Sequence, residues 1–196
     1  MISLPTIYFI RHGETDWNAQ RRYQGQADIP LNDTGRAQAR RNGEALRAFL
    51  PRIGQADFIA SPLQRTLETM RIVRGALGLA MDDFTIDPRL IELNYGHWEG
   101  QLASDLPHTD PDGLSARAAD SYHWRPRGGE NYADLTRRLE SWLAELSRDC
   151  VVVSHGGVSR ALRGLLLDEV AKTDIAQLDV PQDRVLRISQ RTMDWL

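Results

Sequence analysis

The sequence predicts an α/β protein in which a mostly parallel central sheet carries helices on both faces, a three-layer α/β/α arrangement. Three short apolar segments indicate this class, and each is followed by polar residues and then by a helical pattern: Ile7 to Ile10, Asp57 to Ala60 and Cys150 to Val153. Strands that alternate with helices are typical of parallel sheets. Because ligands bind beyond the carboxyl ends of such strands, we expect the three polar clusters to face one crevice.

The first two helices are expected in the N-terminal half of the chain. Residues 31–35 offer a capping sequence before a helix from Arg36 to Leu50, which Pro51 should end. The dipeptide Ser61-Pro62 supplies the N-cap and the first turn of a second helix that runs to about Leu77. Each helix would then follow one strand of the sheet.

The remaining elements lie in the C-terminal half. A third helix should open at Asn131 or Gly129 and run through Leu146, because apolar residues recur there at helical spacing. A fourth should extend from Val158 to Leu167, and Leu186 to Ser189 predicts a late edge strand.

Residues 101–127 differ from the rest of the chain because they are rich in Asp, Pro and Ala and have weak periodicity. They predict a loop or a small helical excursion over the active site. The sequence has no internal repeat, linker or low-complexity tract, so we expect a single domain over residues 1–196.

The composition excludes several classes of function. A formal charge of -3 provides no excess of basic residues for nucleic acid or an anionic membrane surface. Lys172 is the only lysine, which argues against a Schiff-base or Walker-type lysine. The single cysteine, Cys150, cannot form an internal disulfide, and no long apolar run is present, so a soluble protein of the reducing cytoplasm is expected.

The polar clusters combine side chains that can bind and transfer a phosphoryl group. They supply two guanidinium groups, two imidazoles and nearby glycine amides, from Arg11, His12, Arg65, His155, Gly13 and Gly156. Arginine binds pairs of anion oxygens, and the N-terminus of the helix that starts after Gly157 would add its dipole, so phosphate is the leading candidate ligand. A histidine beside these arginines is biased towards the neutral, nucleophilic imidazole.

A departing alkoxide also needs a proton, and the loop at residues 90–100 offers two donors, Glu92 and Glu99. Repulsion by a bound dianion would favour the protonated acid. The residues alone do not choose between the two. No metal and no cofactor is expected, because the arginines already neutralise the dianion and would repel a divalent cation.

The ordered motifs resemble those of the histidine phosphatase superfamily, the phosphoglycerate-mutase-like family. The resemblance covers nearly the whole chain and rests on Arg11-His-Gly-Glu-Thr-Asp-Trp-Asn18, Gln24-Gly25, Pro30-Leu31 with Thr34-Gly35, Ser61-Pro-Leu-Gln-Arg-Thr66 with Glu68-Thr69, Glu92 with Gly96 and Trp98-Glu-Gly100, Gly128-Gly-Glu130, and Ser154-His-Gly-Gly157.

The resemblance implies a role for each of these site residues. His12 would be the phosphorylated nucleophile, and Glu92 would be the proton donor. The phosphate clamp and the substrate contacts would come from Arg11, Arg65 and His155, from Asn18 and the Gly156 amide, and from Gln24 and Gly25.

Two reactions compete within the resemblance. Cofactor-dependent mutases carry a longer insertion after the glutamate loop, with basic residues for a second anionic group, whereas this chain offers only Arg117, Arg125 and Arg127 there, among several aspartates. The form of residues 98–100 and 126–130 also looks like the phosphatase branch. We therefore expect a metal-independent phosphomonoesterase of the acid phosphatase type that hydrolyses a small phosphorylated metabolite and also binds phosphate or sulfate.

Two alternatives remain at this point. One is mutase-type phosphoryl transfer, and the other is a module that binds a phosphorylated ligand without turnover. The presence of both His12 and Glu92 argues against the module, because binding alone needs neither a nucleophile nor an acid. Cys150 opens an apolar strand and has no phosphate-binding loop after it, so it is not expected to be a nucleophile.

Overall fold

A computed structural model describes residues 5–49, 53–168 and 170–196. Within these ranges one six-stranded sheet has the strand order β3-β2-β4-β1-β5-β6. The strands are β1 (Ile7–Arg11), β2 (Asp57–Ala60), β3 (Thr85–Ile86), β4 (Cys150–Ser154), β5 (Val185–Ser189) and β6 (Thr192–Trp195). β1 to β4 run parallel, whereas β5 and β6 are antiparallel, so the predicted mostly parallel sheet is confirmed.

The register of the two central strands places the predicted polar clusters side by side. In β1 and β4, Ile7 pairs with Cys150 and Arg11 pairs with Ser154. Both strands therefore end at the same edge of the sheet. The next residue of each chain segment, His12 and His155, emerges there, as the parallel arrangement predicts.

Helices cover both faces of the sheet. They are α1 (Asp16–Ala19), α2 (Asp33–Leu46), α3 (Gln64–Ala76), α4 (Leu106–Thr109), α5 (Pro111–Ala119), α6 (Tyr132–Leu143) and α7 (Gly156–Leu166), with 3-10 turns at Arg47–Phe49, Pro88–Leu90, Gly96–Trp98 and Ile175–Gln177. The described residues contain no helix with the length and apolar character needed to span a bilayer.

Alternate residues of the strands build two separate cores. Ile7 and Phe9 of β1 pack in the core that α6 and α7 cover, whereas Tyr8 and Ile10 pack in the core that α2 and α3 cover. Successive side chains of a strand point to opposite faces, so each central strand is buried on both sides. The three-layer α/β/α arrangement follows from these two cores.

The starts of the first two major helices differ from the prediction. α2 begins at Asp33 because the Asn32 side chain caps it and accepts from the amide of Gly35. It ends at Leu46 and passes into the 3-10 turn Arg47–Phe49, so the α-helix stops before the predicted Leu50; Leu50 and Pro51 themselves lie outside the described residues. α3 begins at Gln64 and has no side-chain cap. The Ser61 hydroxyl is not available as an N-cap because it is hydrogen-bonded to the His155 ring.

Boundaries in the C-terminal half also shift. Asn131 caps α6 in a reciprocal capping box with Asp134, so the helix opens at the later of the two predicted positions and ends at Leu143 rather than Leu146. α7 starts two residues earlier than predicted, at Gly156. The segment at 101–127 carries the short helices α4 and α5.

Candidate active site

His12 follows β1 directly and is held by its own backbone and by its ring. Its amide donates to the carbonyl of Ser154 at 2.9 Å. Nδ1 lies 2.7 Å from the carbonyl of Gly13, and Nε2 lies 3.3 Å from Nε of Arg65. A carbonyl can only accept and a guanidinium can only donate, so the proton is on Nδ1 and the lone pair is on Nε2.

The turn after His12 requires glycine at position 13, because the neighbouring backbone leaves no room for a side chain. A Cβ at Gly13 would overlap the backbone of Gly35 at the start of α2. The Gly13 amide instead donates to Oγ1 of Thr69 on α3, at 3.1 Å. Two helices therefore fix the residue that orients the His12 ring.

The charges around His12 favour its neutral form. Burial lowers the pKa of His12 well below 6.5, and Arg65 and Arg11 lower it further. His155 has its ring centroid 5.2 Å from that of His12, and its pKa is likewise lowered by burial, by Arg65 and by His12. Both imidazoles are therefore neutral at physiological pH, as the sequence predicts for His12.

Arg65 lies in the first turn of α3 and is fully buried. Besides its bond to His12, it donates from Nη1 to the carbonyl of Ala27 and from Nη2 to the carbonyl of Gly25, both at 2.7 Å. Burial lowers its pKa to about 10, which still leaves a full positive charge at neutral pH. The guanidinium is thus charged and fixed before any ligand arrives.

Arg11 and Arg160 border the same cavity. Arg11 donates from Nη1 to the carbonyl of Val180 at 2.8 Å, while its Nε is buried without a partner among the described residues. Arg160 donates from Nε to the carbonyl of Leu178 at 2.8 Å. A Cβ at Gly156 would lie 3.3 Å from Arg160 Nη1 and 3.6 Å from Arg11 Nε, so this glycine leaves space between the two guanidinium groups.

Glu92 and Glu99 occupy different positions, although the sequence does not distinguish them. Glu92 borders the cavity, and its two carboxylate oxygens accept from the amides of Leu93 at 2.8 Å and Gly157 at 3.2 Å. Glu99 accepts from the amides of Gln26 at 2.8 Å and Tyr95 at 3.2 Å. Glu99 therefore ties two loops together, whereas Glu92 is the carboxyl group that borders the cavity.

The predicted substrate contacts Asn18, Gln24 and Gly25 also border the cavity. Oδ1 of Asn18 accepts from the amide of Thr15 and from Gln182, so its Nδ2 group is left to donate elsewhere. Oε1 of Gln24 is buried without a partner in the described part of the chain. These groups can supply neutral hydrogen bonds beside the arginines.

His155, which the resemblance places in the phosphate clamp, does not border the cavity. Its Nε2 is hydrogen-bonded to the Ser61 hydroxyl at 2.7 Å, and its buried Nδ1 has no partner among the described residues. The ring stands against His12 instead. The structure thus places His155 next to the predicted nucleophile but not in the cavity lining.

The cavity has a volume of about 140 Å³. Its lining in the described residues comprises Arg11, His12, Asn18, Arg22, Tyr23, Gln24, Gly25, Arg65, Glu92, Tyr95, Gly156 and Arg160. Four arginines and one carboxylate in this lining make it strongly cationic. The described ranges contain no group of three His, Cys, Asp or Glu side chains that could hold a metal ion.

Sequence reasoning missed Arg160, Arg22 and the two tyrosines of this lining. Arg160 follows Gly156 by four residues, so a helix that starts at Gly156 brings both to one face. That spacing was available in the sequence. Tyr23 and Tyr95, whose rings are 4.9 Å apart, come from loops and carry no comparable signal.

The three arginines of the excursion lie apart from the cavity lining. Arg117 donates to the Tyr23 hydroxyl at 2.8 Å and stacks over the ring of Trp98. Arg125 forms an ion pair with Asp134 at 2.6 Å, and the Arg127 side chain is exposed. Arg117 therefore supports the wall of the cavity from behind.

This chain belongs to the histidine phosphatase superfamily, since the model of that family (branch 1) matches residues 7–195. The resemblance that the sequence motifs indicate is confirmed. The α/β fold likewise matches solved structures of this type over almost the full chain.

Similar proteins carry names from both reaction types. The chain is 33% identical to "Probable phosphoglycerate mutase GpmB" of Enterobacter sp. (strain 638), over 97% of this chain and 87% of that protein. A mycobacterial glucosyl-3-phosphoglycerate phosphatase in complex with VO3 is 26% identical, with a TM-score of 0.78 and coverage of 98% and 96%. The α-ribazole phosphatase of Shigella flexneri is 28% identical, with a TM-score of 0.77 and coverage of 97% and 94%.

Proposed function

We propose that the protein is a phosphomonoesterase that hydrolyses a small phosphorylated metabolite through a phosphohistidine intermediate on His12. The observation that carries the proposal is the fixed tautomer of His12, which puts the lone pair on Nε2, beside Arg65, in a residue that borders a cavity lined by four arginines. A neutral imidazole is a nucleophile, and the surrounding cations stabilise the charge on the phosphoryl oxygens in the transition state.

In the first step Nε2 of His12 attacks phosphorus in line with the ester oxygen. The P–N bond forms as the P–O bond breaks, and Glu92 gives its proton to the departing alkoxide. Arg11 and Arg65 neutralise the phosphoryl oxygens, and the amides at the N-terminus of α7 add further donors. The Gly13 carbonyl, which accepts from Nδ1, stabilises the positive charge that develops on the ring.

In the second step water replaces His12 on phosphorus. Glu92, now a carboxylate, takes a proton from the water as its oxygen attacks, and the P–N bond breaks. Phosphate leaves, and His12 regains its lone pair while Glu92 is protonated again. No metal takes part in either step, because the arginines supply the positive charge.

The phosphatase names among similar solved structures support hydrolysis, and so does the position of the excursion arginines away from the cavity lining. Mutase-type transfer is the second candidate, because similar curated proteins are named as phosphoglycerate mutases. The two reactions share the phosphohistidine and differ in whether water or a second hydroxyl group receives the phosphoryl group. A non-catalytic module would form no phosphohistidine at all.

The test is turnover of a generic phosphomonoester with a chelator present, for the parent, His12→Ala and Glu92→Gln, beside a phosphoglycerate isomerisation assay. Metal-independent hydrolysis that is lost in His12→Ala supports the proposal, and a labelled phosphate on His12 after acid-free quenching identifies the intermediate. Isomerisation without hydrolysis would instead support the mutase. A parent that forms no phosphohistidine and turns over no ester would support the binding module.

A further inference from the structure

Gln182 lies outside the cavity lining but touches two residues of the site at once. Its Nε2 group donates to the backbone carbonyl of His12 at 3.0 Å and to Oδ1 of Asn18 at 3.1 Å. The side chain is half-buried, and it comes from the segment just before β5. An amide nitrogen has two hydrogens, so one bond to each acceptor uses both.

The second of these bonds bears on which atom of Asn18 faces a ligand. Oδ1 of Asn18 also accepts from the amide of Thr15 at 3.2 Å and from its hydroxyl at 3.3 Å. With donors converging on Oδ1, the Nδ2 group of the same planar amide is turned away from them, and Asn18 borders the cavity. The amide therefore offers donors, rather than an acceptor, to an anion.

The segment from which Gln182 comes also holds the cavity arginines. The carbonyls of Leu178 and Val180 accept from Arg160 and Arg11, both at 2.8 Å. Residues 178–182, which we name the strap, thus contact three side chains of the lining without lining the cavity themselves. The carbonyl of Gln182 is in turn anchored by Nδ2 of the buried Asn42, at 2.9 Å.

We propose that Gln182 is a positioning residue for anion binding, which acts by fixing the Asn18 amide with its donor group towards the phosphate. The inference rests on the proposed phosphate site. Leu178 and Val180 of the strap contact the cavity arginines through backbone carbonyls, whereas Gln182 contacts Asn18 through its own side chain. A substitution at Gln182 can therefore remove this contact and leave the main chain in place.

Two substitutions separate loss of the bond from its reversal. Gln182→Met keeps the length of the side chain and removes both donors. Gln182→Glu places acceptors opposite Oδ1 of Asn18 and favours a flipped amide, whose oxygen would then face the phosphate and repel it. Because hydrogen bonds to charged groups are among the stronger ones, we expect phosphate to bind about tenfold or more weakly to Gln182→Glu, and about threefold more weakly to Gln182→Met.

The experiment is calorimetric titration of inorganic phosphate into the parent, Gln182→Glu, Gln182→Met and the same two changes in an Asn18→Ala background. If Gln182 acts through Asn18, the changes at Gln182 should alter binding by less than about twofold once Asn18 is alanine. Gln177→Glu is the matched control, because Gln177 is exposed in a neighbouring turn and its replacement adds the same negative charge there. It should bind phosphate like the parent.

Several outcomes would overturn the inference. Additive effects in the double variants would mean that Gln182 acts through charge or general stability rather than through Asn18. Parent-like binding by both single variants would mean that the Asn18 amide needs no such support. Circular dichroism melting identifies a variant that has lost its fold. If Gln182→Glu does not fold, phosphate binding by Gln182→Met is the measurement that tests the inference. A parent that binds phosphate without hydrolysing esters refutes the proposed reaction alone, whereas a parent that binds no phosphate overturns both.

Discussion

Replacement of Glu92 by glutamine should separate the two proton transfers of the proposed reaction. Both carboxylate oxygens accept from backbone amides, those of Leu93 and Gly157. A glutamine side chain has one accepting oxygen, so one of these bonds is lost. Because hydrogen bonds to charged groups contribute about 1.5–3 kcal/mol, we expect the free energy of unfolding of Glu92→Gln to fall by an amount of that order.

The kinetic effect should depend on the leaving group. With an alkyl phosphate, whose alkoxide must be protonated, kcat should fall by about 10²–10⁴. With p-nitrophenyl phosphate the phenolate departs without a proton, so His12 is still phosphorylated and the slow step becomes attack of water. Rapid mixing should then show a burst of about one equivalent of p-nitrophenolate per Glu92→Gln molecule, followed by slow turnover.

Glu99→Gln is the matched control because Glu99 lies in the same loop and also accepts from two backbone amides. It should lose stability to a similar extent, but its residual activity should not depend on the leaving group. Equal losses of kcat on both substrates by Glu92→Gln, with no burst, would refute the assignment of Glu92 as the acid.

The buried histidines, Gly157 and Cys150 should each respond to substitution in a different way. Burial lowers the pKa of His12 and His155 well below 6.5, so the unfolded chain binds more protons than the folded protein below that pH. The free energy of unfolding should therefore fall by about 1.2 kcal/mol per histidine from pH 7 to pH 5.5. Urea denaturation should show a smaller fall for the variant that carries both His12→Gln and His155→Gln. An unchanged slope would contradict this. Gly157→Ala should lower kcat about tenfold or more while phosphate still binds, because the new Cβ would overlap the Glu92 carboxylate; a parent-like kcat would contradict it. Cys150 is buried, and burial raises the pKa of its thiol, so we expect a structural and not a catalytic role. Cys150→Ala should keep its activity within about twofold of the parent and lose about 1 kcal/mol of stability. Loss of turnover in this variant would refute the structural role.

The sequence predicts the central part of the fold because buried parallel strands are continuous apolar runs. β1, β2 and β4 are of this kind and lie within one residue of their predicted bounds. β3 and β6 were not predicted: β3 has two exposed residues, and the burial of β6 alternates between exposed and intermediate. β3 and β6 are the two edge strands of the sheet, and they form because they pair with β2 and β5. The local composition of a segment does not reveal such a partner strand.

The site was predictable to the extent that its residues directly follow strands. Arg11 and His12 lie at the end of β1, and Arg65 lies in the first turn of the helix that follows β2, so all three meet at one edge of the sheet. The residues alone leave the choice between Glu92 and Glu99 open and the resemblance implies Glu92; the structure shows that Glu92 is the one of the two that borders the cavity. Gln182 was out of reach for a similar reason, because it contacts His12 and Asn18 across more than 160 residues of chain.

The partners of the cavity arginines explain how the site keeps both its positive charge and a neutral nucleophile. In the described part of the chain Arg11, Arg65 and Arg160 donate to backbone carbonyls, whereas surface arginines such as Arg89 pair with carboxylates. A carbonyl satisfies a buried N–H group without cancelling its charge, and it does not repel phosphate as a carboxylate would. Burial lowers the pKa of His12 and the retained arginine charge lowers it further, so the groups that attract the dianion also help to keep the attacking nitrogen unprotonated. Since folding has already oriented these dipoles and charges, little reorganisation is left for the reaction itself.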